Sequence, residues 1–180
     1  MVIIQNYRMK YNTKTGRFHV KNTEVAVCPV CSKKLKVIGS RKRGIIKYNG
    51  KKIPLQIRRL KCEDCNEIHH ELPDIIVPYK RYSTPTIEKI LLDKNSIKDD
   101  CLCEISTISR MKSWFNAHRE YFQCTLQSLQ LLYNQDNEIY KKISELIPLE
   151  NYERLSTGWL KTLVRMLVNS NKWVQTRSAF

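Results

Sequence analysis

Two pairs of cysteines carry the most explicit chemistry in this chain. Cys28-Pro29-Val30-Cys31 and Cys62-Glu63-Asp64-Cys65 are Cys-x-x-Cys units separated by 30 residues. A two-residue gap lets a tight turn aim both thiolates at one point. Two such turns supply four soft ligands in a tetrahedron, the arrangement Zn2+ prefers. Four thiolates leave no open position for water, so the expected ion is structural, one per chain. By analogy with zinc-finger peptides it contributes on the order of 10 kcal/mol to folding. A redox Cys-x-x-Cys needs a thioredoxin-like βαβ setting, and the flanking sequence does not read that way. His69 and His70 follow the second pair and read as a structural edge or a surface pair. Cys101, Cys103, His118 and Cys124 lack knuckle spacing and read as ordinary core or surface residues.

The second signal is charge. The chain has 180 residues, a net charge of +15 and a pI near 9.6, which points to a polyanionic partner. Residues 1–82 carry +13 of that charge and residues 83–180 only +2. Between Lys33 and Lys61 there is no acidic residue, but there are twelve cations: Lys33, Lys34, Lys36, Arg41, Lys42, Arg43, Lys47, Lys51, Lys52, Arg58, Arg59 and Lys61. Self-repulsion on that scale is tolerated for some gain, and contact with nucleic-acid phosphates is the expected one. Such contacts position a protein without reading sequence.

These residues need elements to hold them. Leu35–Ile38, Gly44–Tyr48 and Ile53–Leu60 read as short strands, and Asn49-Gly50 reads as a two-residue hairpin turn with positive φ at both positions. Val2–Ile4 and Phe18–Val20 read as further short strands around a turn at Asn12–Gly16. Pro73, Pro78 and Pro85 interrupt the following stretch and place a domain boundary near residues 78–84. The rest reads helical. Thr84 is the expected N-cap with Pro85 at the first helical position. A short helix is expected at about Ile97–Glu104, and Ser106 is expected to open another. Ile108, Met111, Phe115, His118 and Phe122 then step by three and four, as one long helix or two stacked ones. Ile139, Ile143, Leu146 and Ile147 mark a further helix ended by Pro148, and Trp159, Leu160, Leu163, Val164 and Leu167 mark the last.

Residues 84–122 have the outline of a helix-turn-helix. If Ile108, Met111, Phe115 and His118 pack inward, Thr107, Arg110, Ser113 and Trp114 face solvent near a helix N-terminus, where a recognition helix meets base edges. Lys112 and Arg119 would then reach phosphates. The tail around Trp173 is expected to dock on the core.

Several classes are disfavoured. There is no Gly-rich phosphate loop, nucleophile elbow or His-Glu-x-x-His in the sequence. Asp99, Asp100, Glu104, Glu120 and Glu145 lie in helical segments, away from the parallel strands a two-metal nuclease fold would need. The chain is therefore not expected to be an enzyme. No apolar run approaches the roughly 18–20 residues of a spanning helix, and the start lacks a signal-peptide layout. A cytoplasmic, nucleoid-associated location without membrane contact is the expectation.

A resemblance adds to this. The series Cys28-Pro-x-Cys31, Ile57-Arg-Arg-Leu-Lys-Cys62-x-x-Cys65, His69-His70-Glu71-Leu72-Pro73-Asp74 and Pro78-Tyr79-Lys80-Arg81-Tyr82-Ser83 resembles an uncharacterised family of small bacterial proteins, mainly of Gram-positive bacteria, found beside transposase genes. Ser106-Thr107-Ile108-Ser109-Arg110-x-x-x-Trp114-Phe115 and Trp173-Val-Gln-Thr-Arg177 fit the same pattern, so the resemblance spans residues 24–178. The first pair and the Arg-Arg-Leu-Lys-Cys segment are also similar to N-terminal zinc ribbons of transposases. The resemblance implies a mobile-element accessory that recognises DNA while a transposase or another protein does the chemistry.

The expectation is thus an α+β chain, a basic zinc ribbon at 1–82 followed by an all-α, helix-turn-helix-like bundle at 83–180. Double-stranded DNA is the expected partner, with a transposase as a second one. A transcriptional regulator with the same parts, an RNA-binding ribbon and a protein adaptor are the competing readings.

Overall fold

The strongest local signal, the hairpin, is longer and more continuous than the run lengths suggest. In the computed structural model, which describes residues 1–93 and 102–174, β4 (Leu35–Ile46) and β5 (Lys52–Cys62) pair antiparallel from Leu35↔Cys62 to Ile46↔Lys52. One irregularity, between Val37 and Gly39, accommodates an extra residue as a bulge. The turn differs from the expected two-residue form. Gly50 N–H donates to Lys47 O at 2.9 Å, and only Gly50, at φ 72°, is left-handed. That is a four-residue turn closed by a glycine, in which Asn49 needs no positive φ.

Around this hairpin a six-stranded mixed sheet curls into a half-barrel. The strands β1 (Val2–Ile4), β2 (Tyr7–Asn12), β3 (Arg17–Asn22) and β6 (Ile68–Pro73) complete it. One edge of β5 carries β4. The other is shared, with β3 parallel at Leu55 and Gln56, and β6 antiparallel at Arg59–Lys61. β2 pairs with β3, and β1 runs parallel to β6 with Ile3 beside Leu72. The β2–β3 turn is held by Asn12, whose Oδ1 accepts from Lys14 and Thr15 N–H.

The helices are α1 (Thr84–Leu92), α2 (Ile105–Gln130), α3 (Glu138–Leu146) and α4 (Trp159–Asn169), with a 3₁₀ turn at Leu149–Arg154. α1 begins one residue earlier than expected, with Ser83 as N-cap, because Thr84 is tied to the sheet: its N–H donates to Ile75 O and its hydroxyl to Asp74 O. α4 starts at Gly158, which has no side chain to cap it. Glu88, 70 residues earlier and buried on α1, does so instead, accepting from Gly158 N–H at 2.7 Å and Leu160 N–H at 3.0 Å. Asn169 at the far end of α4 clamps Ile3 of β1 through both its amide groups.

The helix-turn-helix expectation is corrected here. Residues 94–101, which contain most of the expected second helix, Asp99, Asp100 and Cys101, lie outside the described residues. Leu102–Glu104 is not helical, and α2 opens after Glu104 rather than at Ser106 and runs unbroken for 26 residues. Trp114, expected in solvent, is 1% exposed. It sits among Phe115, His118, Phe122 and Trp173, with ring centroids 6.2–6.3 Å away. Two adjacent aromatics are buried because α2 has packing partners on more than one side, so its apolar face is wider than a surface helix needs. From Met111 and Trp114 onward α2 therefore forms part of a core wall, while Ile105, Ser106, Ser109 and Arg110 in its first turns are exposed. A single apolar cluster runs from Val2 through Leu55 and Ile57 of the sheet to Trp114, Phe122 and Val168 of the helices.

Candidate metal centre and cationic groove

The two cysteine turns are geometric copies of one another. In each, the N–H of the first cysteine donates to the carbonyl five residues on: Cys28 to Lys33 at 2.8 Å, Cys62 to Glu67 at 3.0 Å. In each, the residue after the second cysteine is left-handed, Ser32 and Asn66 both at φ 60°. Small polar residues tolerate that conformation, which is why Ser and Asn stand there. In each, the second cysteine's sulfur accepts from an N–H two residues on, Lys33 for Cys31 and Glu67 for Cys65. β5 ends at Cys62, so the sheet itself delivers the second turn to the first.

The four sulfur atoms all lie within 4.8 Å of one another, with Cys28–Cys65 at 3.6 Å and Cys31–Cys62 at 3.4 Å. A tetrahedral ion with metal–sulfur bonds of about 2.3 Å needs sulfurs about 3.8 Å apart. The cluster can hold a metal ion. Its electrostatics say the same. N–H groups of Cys65 and Asp64 draw Cys62 down to about 7. Glu67 N–H pulls on Cys65, yet burial and the three neighbouring thiols outweigh it and push Cys65 up to about 12. Cys31 is likewise pushed up, and four thiols this close cannot all ionise unless a cation joins them. Among the described residues this is the one cluster of its kind. Cys103 is buried and Cys124 exposed, and neither belongs to this cluster.

His69 touches this centre without being one of the four ligands. It is 4% exposed, and its Nδ1 lies 3.1 Å from the Met1 nitrogen, a donor. Nδ1 therefore accepts, and Nε2–H is left to donate to Cys28 Sγ at 3.3 Å.

The strand register sorts the cations. Arg41 and Arg43, two apart on β4, stand opposite Ile57 and Leu55; Arg59 stands opposite Gly39 on one side and His70 on the other. Lys36 stands opposite Lys61. Side chains directly opposite share a face, so Lys36, Arg41, Arg43, Arg59, Lys61 and His70 lie on one side of the sheet. A groove of about 540 Å³ opens there against the end of α4, lined by Arg41, Lys42, Arg43, His70, Tyr79 and Trp173 among others. Burial lowers the His70 pKa first, and the positive charges of Arg41, Arg59, the Met1 amine and Arg43 lower it further.

The remaining sequence-selected residues are scattered. Lys33 and Lys34 are exposed in the first cysteine turn, and Lys47 is exposed in the hairpin turn. Lys36 also meets Glu63 at 3.2 Å in solvent. Arg58, on the opposite face from Arg59, is held by both oxygens of buried Glu71, at 2.6 Å each, while Asn22 donates to the same carboxylate. On α2, Arg110 turns back to Ser106 O and Thr107 Oγ1, Lys112 donates to Asp93 O, and Ser113 is exposed. Thr107, Arg110, Lys112 and Ser113 do not line the groove. His70 was missed as part of the cationic face. The signal was available: next to His69 on a strand, it had to point the other way.

Among the described residues no helix is long and apolar enough to cross a membrane. No curated protein and no solved structure matches the chain. Residues 28–111 match the model of a family described as a domain of unknown function, DUF6431, a span that opens on the first cysteine of the metal centre and closes on Met111 of α2.

Proposed function

We propose that this chain is a zinc-organised, non-catalytic DNA-binding protein whose contact surface is the cationic face of the sheet. The observation that carries the reading is the register of β4, β5 and β6, which gathers Lys36, Arg41, Arg43, Arg59 and Lys61 on one face beside the cysteine cluster. Four thiolates suit zinc among the common ions. With zinc the cluster carries about two negative charges, which the surrounding lysines offset, so the ion fixes the hairpin end without cancelling the cationic face. The earlier expectation of a recognition helix plays no part, and DNA is held here through its phosphates. The resemblance to proteins encoded beside transposases supports a place in a mobile element, inside the cell and next to the protein that cuts and joins DNA.

The test is to incubate metal-loaded protein with sheared DNA of its source genome at about 50 mM salt, where phosphate contacts hold, and to sequence what is retained. Retention with little sequence preference is the result expected of phosphate contacts; enrichment at mobile-element ends would add base reading to the same reading, enrichment at promoters moves the protein to transcriptional control, and no retention would overturn it. Loss of retained DNA to RNA competitor at equal nucleotide concentration would overturn the choice of DNA.

A further inference from the structure

We propose that Arg41, Arg43 and His70, in the groove between the sheet and the end of α4, bind one phosphate group together with Arg59, which stands directly across from His70 on the neighbouring strand. This rests on the DNA reading for the origin of the phosphate, a strand's phosphodiester, but not for the site itself.

Three independent features converge on it. First, the positive charge is uncompensated: among the described residues no ion pair engages Arg41, Arg43 or Arg59, and Glu67 is the one carboxylate lining the groove. Like charges gathered against a partly buried wall are stabilised by an anion that bridges them. Second, Arg43 has an unused donor. Its Nη2 donates to Lys80 O at 2.7 Å, which anchors the guanidinium, while its Nε is buried without a partner. A buried donor left open is costly unless something completes it, and a phosphate oxygen is the acceptor that matches a planar guanidinium. Third, Tyr79 on the groove's lining has φ 64°, a conformation that a bulky side chain rarely adopts. Backbone strain of that kind clusters at ligand sites.

Register explains how the sequence builds the site. Arg41 and Arg43 are two residues apart on an edge strand, Arg59 is on the central strand, and His70 is directly across from Arg59 on the next one. Three neighbouring strands thus carry the four groups on one face, with Arg59 between His70 and the arginines of β4, and the charges of all three arginines are felt at the imidazole.

The imidazole also reports on the site. We would label His70 in the full metal-loaded chain and follow its ring resonances against pH with inorganic phosphate, with a 5′-phosphorylated dinucleotide, and with a duplex oligonucleotide. The expected result is a saturable shift with each, and a rise of the His70 midpoint by about one unit as a negative charge arrives. Arg59→Gln should abolish the rise while leaving metal content unchanged. A response to phosphate and dinucleotide but not to duplex keeps the site and overturns the DNA reading. Duplex binding that leaves His70 unmoved keeps the DNA reading and overturns the site.

Discussion

In the cysteine turns, four sulfurs lie within 4.8 Å of one another; in the helical layer, Trp114, Phe115, Phe122 and Trp159 lie almost wholly out of solvent. The first region is thin, cationic and poor in apolar contacts. The second is thick, nearly neutral and packed ring against ring, with Trp173 stacked on Phe122 at 5.7 Å and Phe115 edge-on to Tyr152 at 5.0 Å. The cysteine turns bury little apolar area to offset the entropy of ordering them, and an ion on the four sulfurs would supply what packing does not. The helical layer has the opposite resource, and it uses a few polar anchors, Glu88 and Asn169, only to orient its members.

The contrast should break most sharply when the ion is lost. Cys62→Ser, or chelation of the metal, removes a stabilisation on the order of 10 kcal/mol. Hydrogen exchange should show protection lost in both cysteine turns and in the adjoining ends of β4 and β5, with α4 affected later; uniform loss would mean that the two regions are not separately organised. Trp114→Ala attacks the other region and should cost about 3–5 kcal/mol in denaturant unfolding while the metal stays bound under native conditions. Release of the ion at low denaturant would contradict that. Arg58→Ala tests the seam between them, since it leaves Glu71 buried without its partner. About 3–5 kcal/mol should be lost, and Arg58→Ala with Glu71→Gln together should recover part of it.

A smaller effect is expected at Lys80, which lies against the helical layer at Trp114. Burial lowers the Lys80 pKa to about 8, with its ammonium over the Trp114 ring at 4.4 Å. A lysine whose folded pKa lies below the unfolded one binds fewer protons when folded, so stability rises as pH climbs from about 8 towards the ordinary lysine range near 10.4. Lys80→Met should flatten that rise relative to the parent protein in paired unfolding curves. Identical pH slopes would show that Lys80 is not the group responsible.

The metal centre was legible because its information is local: spacing alone says where four sulfurs go, and the equivalent turns at Cys28 and Cys62 follow from it. The hairpin was legible too, although its length and its turn type were not, because a glycine can close more than one kind of turn. The rest of the sheet was hidden in long-range pairing. Val2–Ile4 reads as three apolar residues, and nothing nearby shows that its partner is Glu71–Pro73. Tyr7–Asn12 is mostly exposed and polar, so it carries no alternating pattern to find. The helix-turn-helix failed on Trp114: a 3.6-residue period places one face inward, but α2 is buried more broadly, and the sheet and helices that cover it were not yet in view. The cationic face was half legible. The charges were plain, but the pairing that puts Arg59 with Arg41 and turns Arg58 towards Glu71 depends on register.

The central claim is that a metal-fixed sheet face binds DNA through its cations, and the salt dependence of duplex affinity tests it most directly. Measured by fluorescence anisotropy between 50 and 200 mM salt, the metal-loaded protein should give a slope of log K against log salt of about −3 if Lys36 and Lys61 each meet a phosphate and Arg41, Arg43 and Arg59 share one. Replacing Arg41 and Arg59 together by Gln should make the slope shallower by about one. A slope that the double replacement leaves unchanged, or no binding at 50 mM salt, would contradict the account.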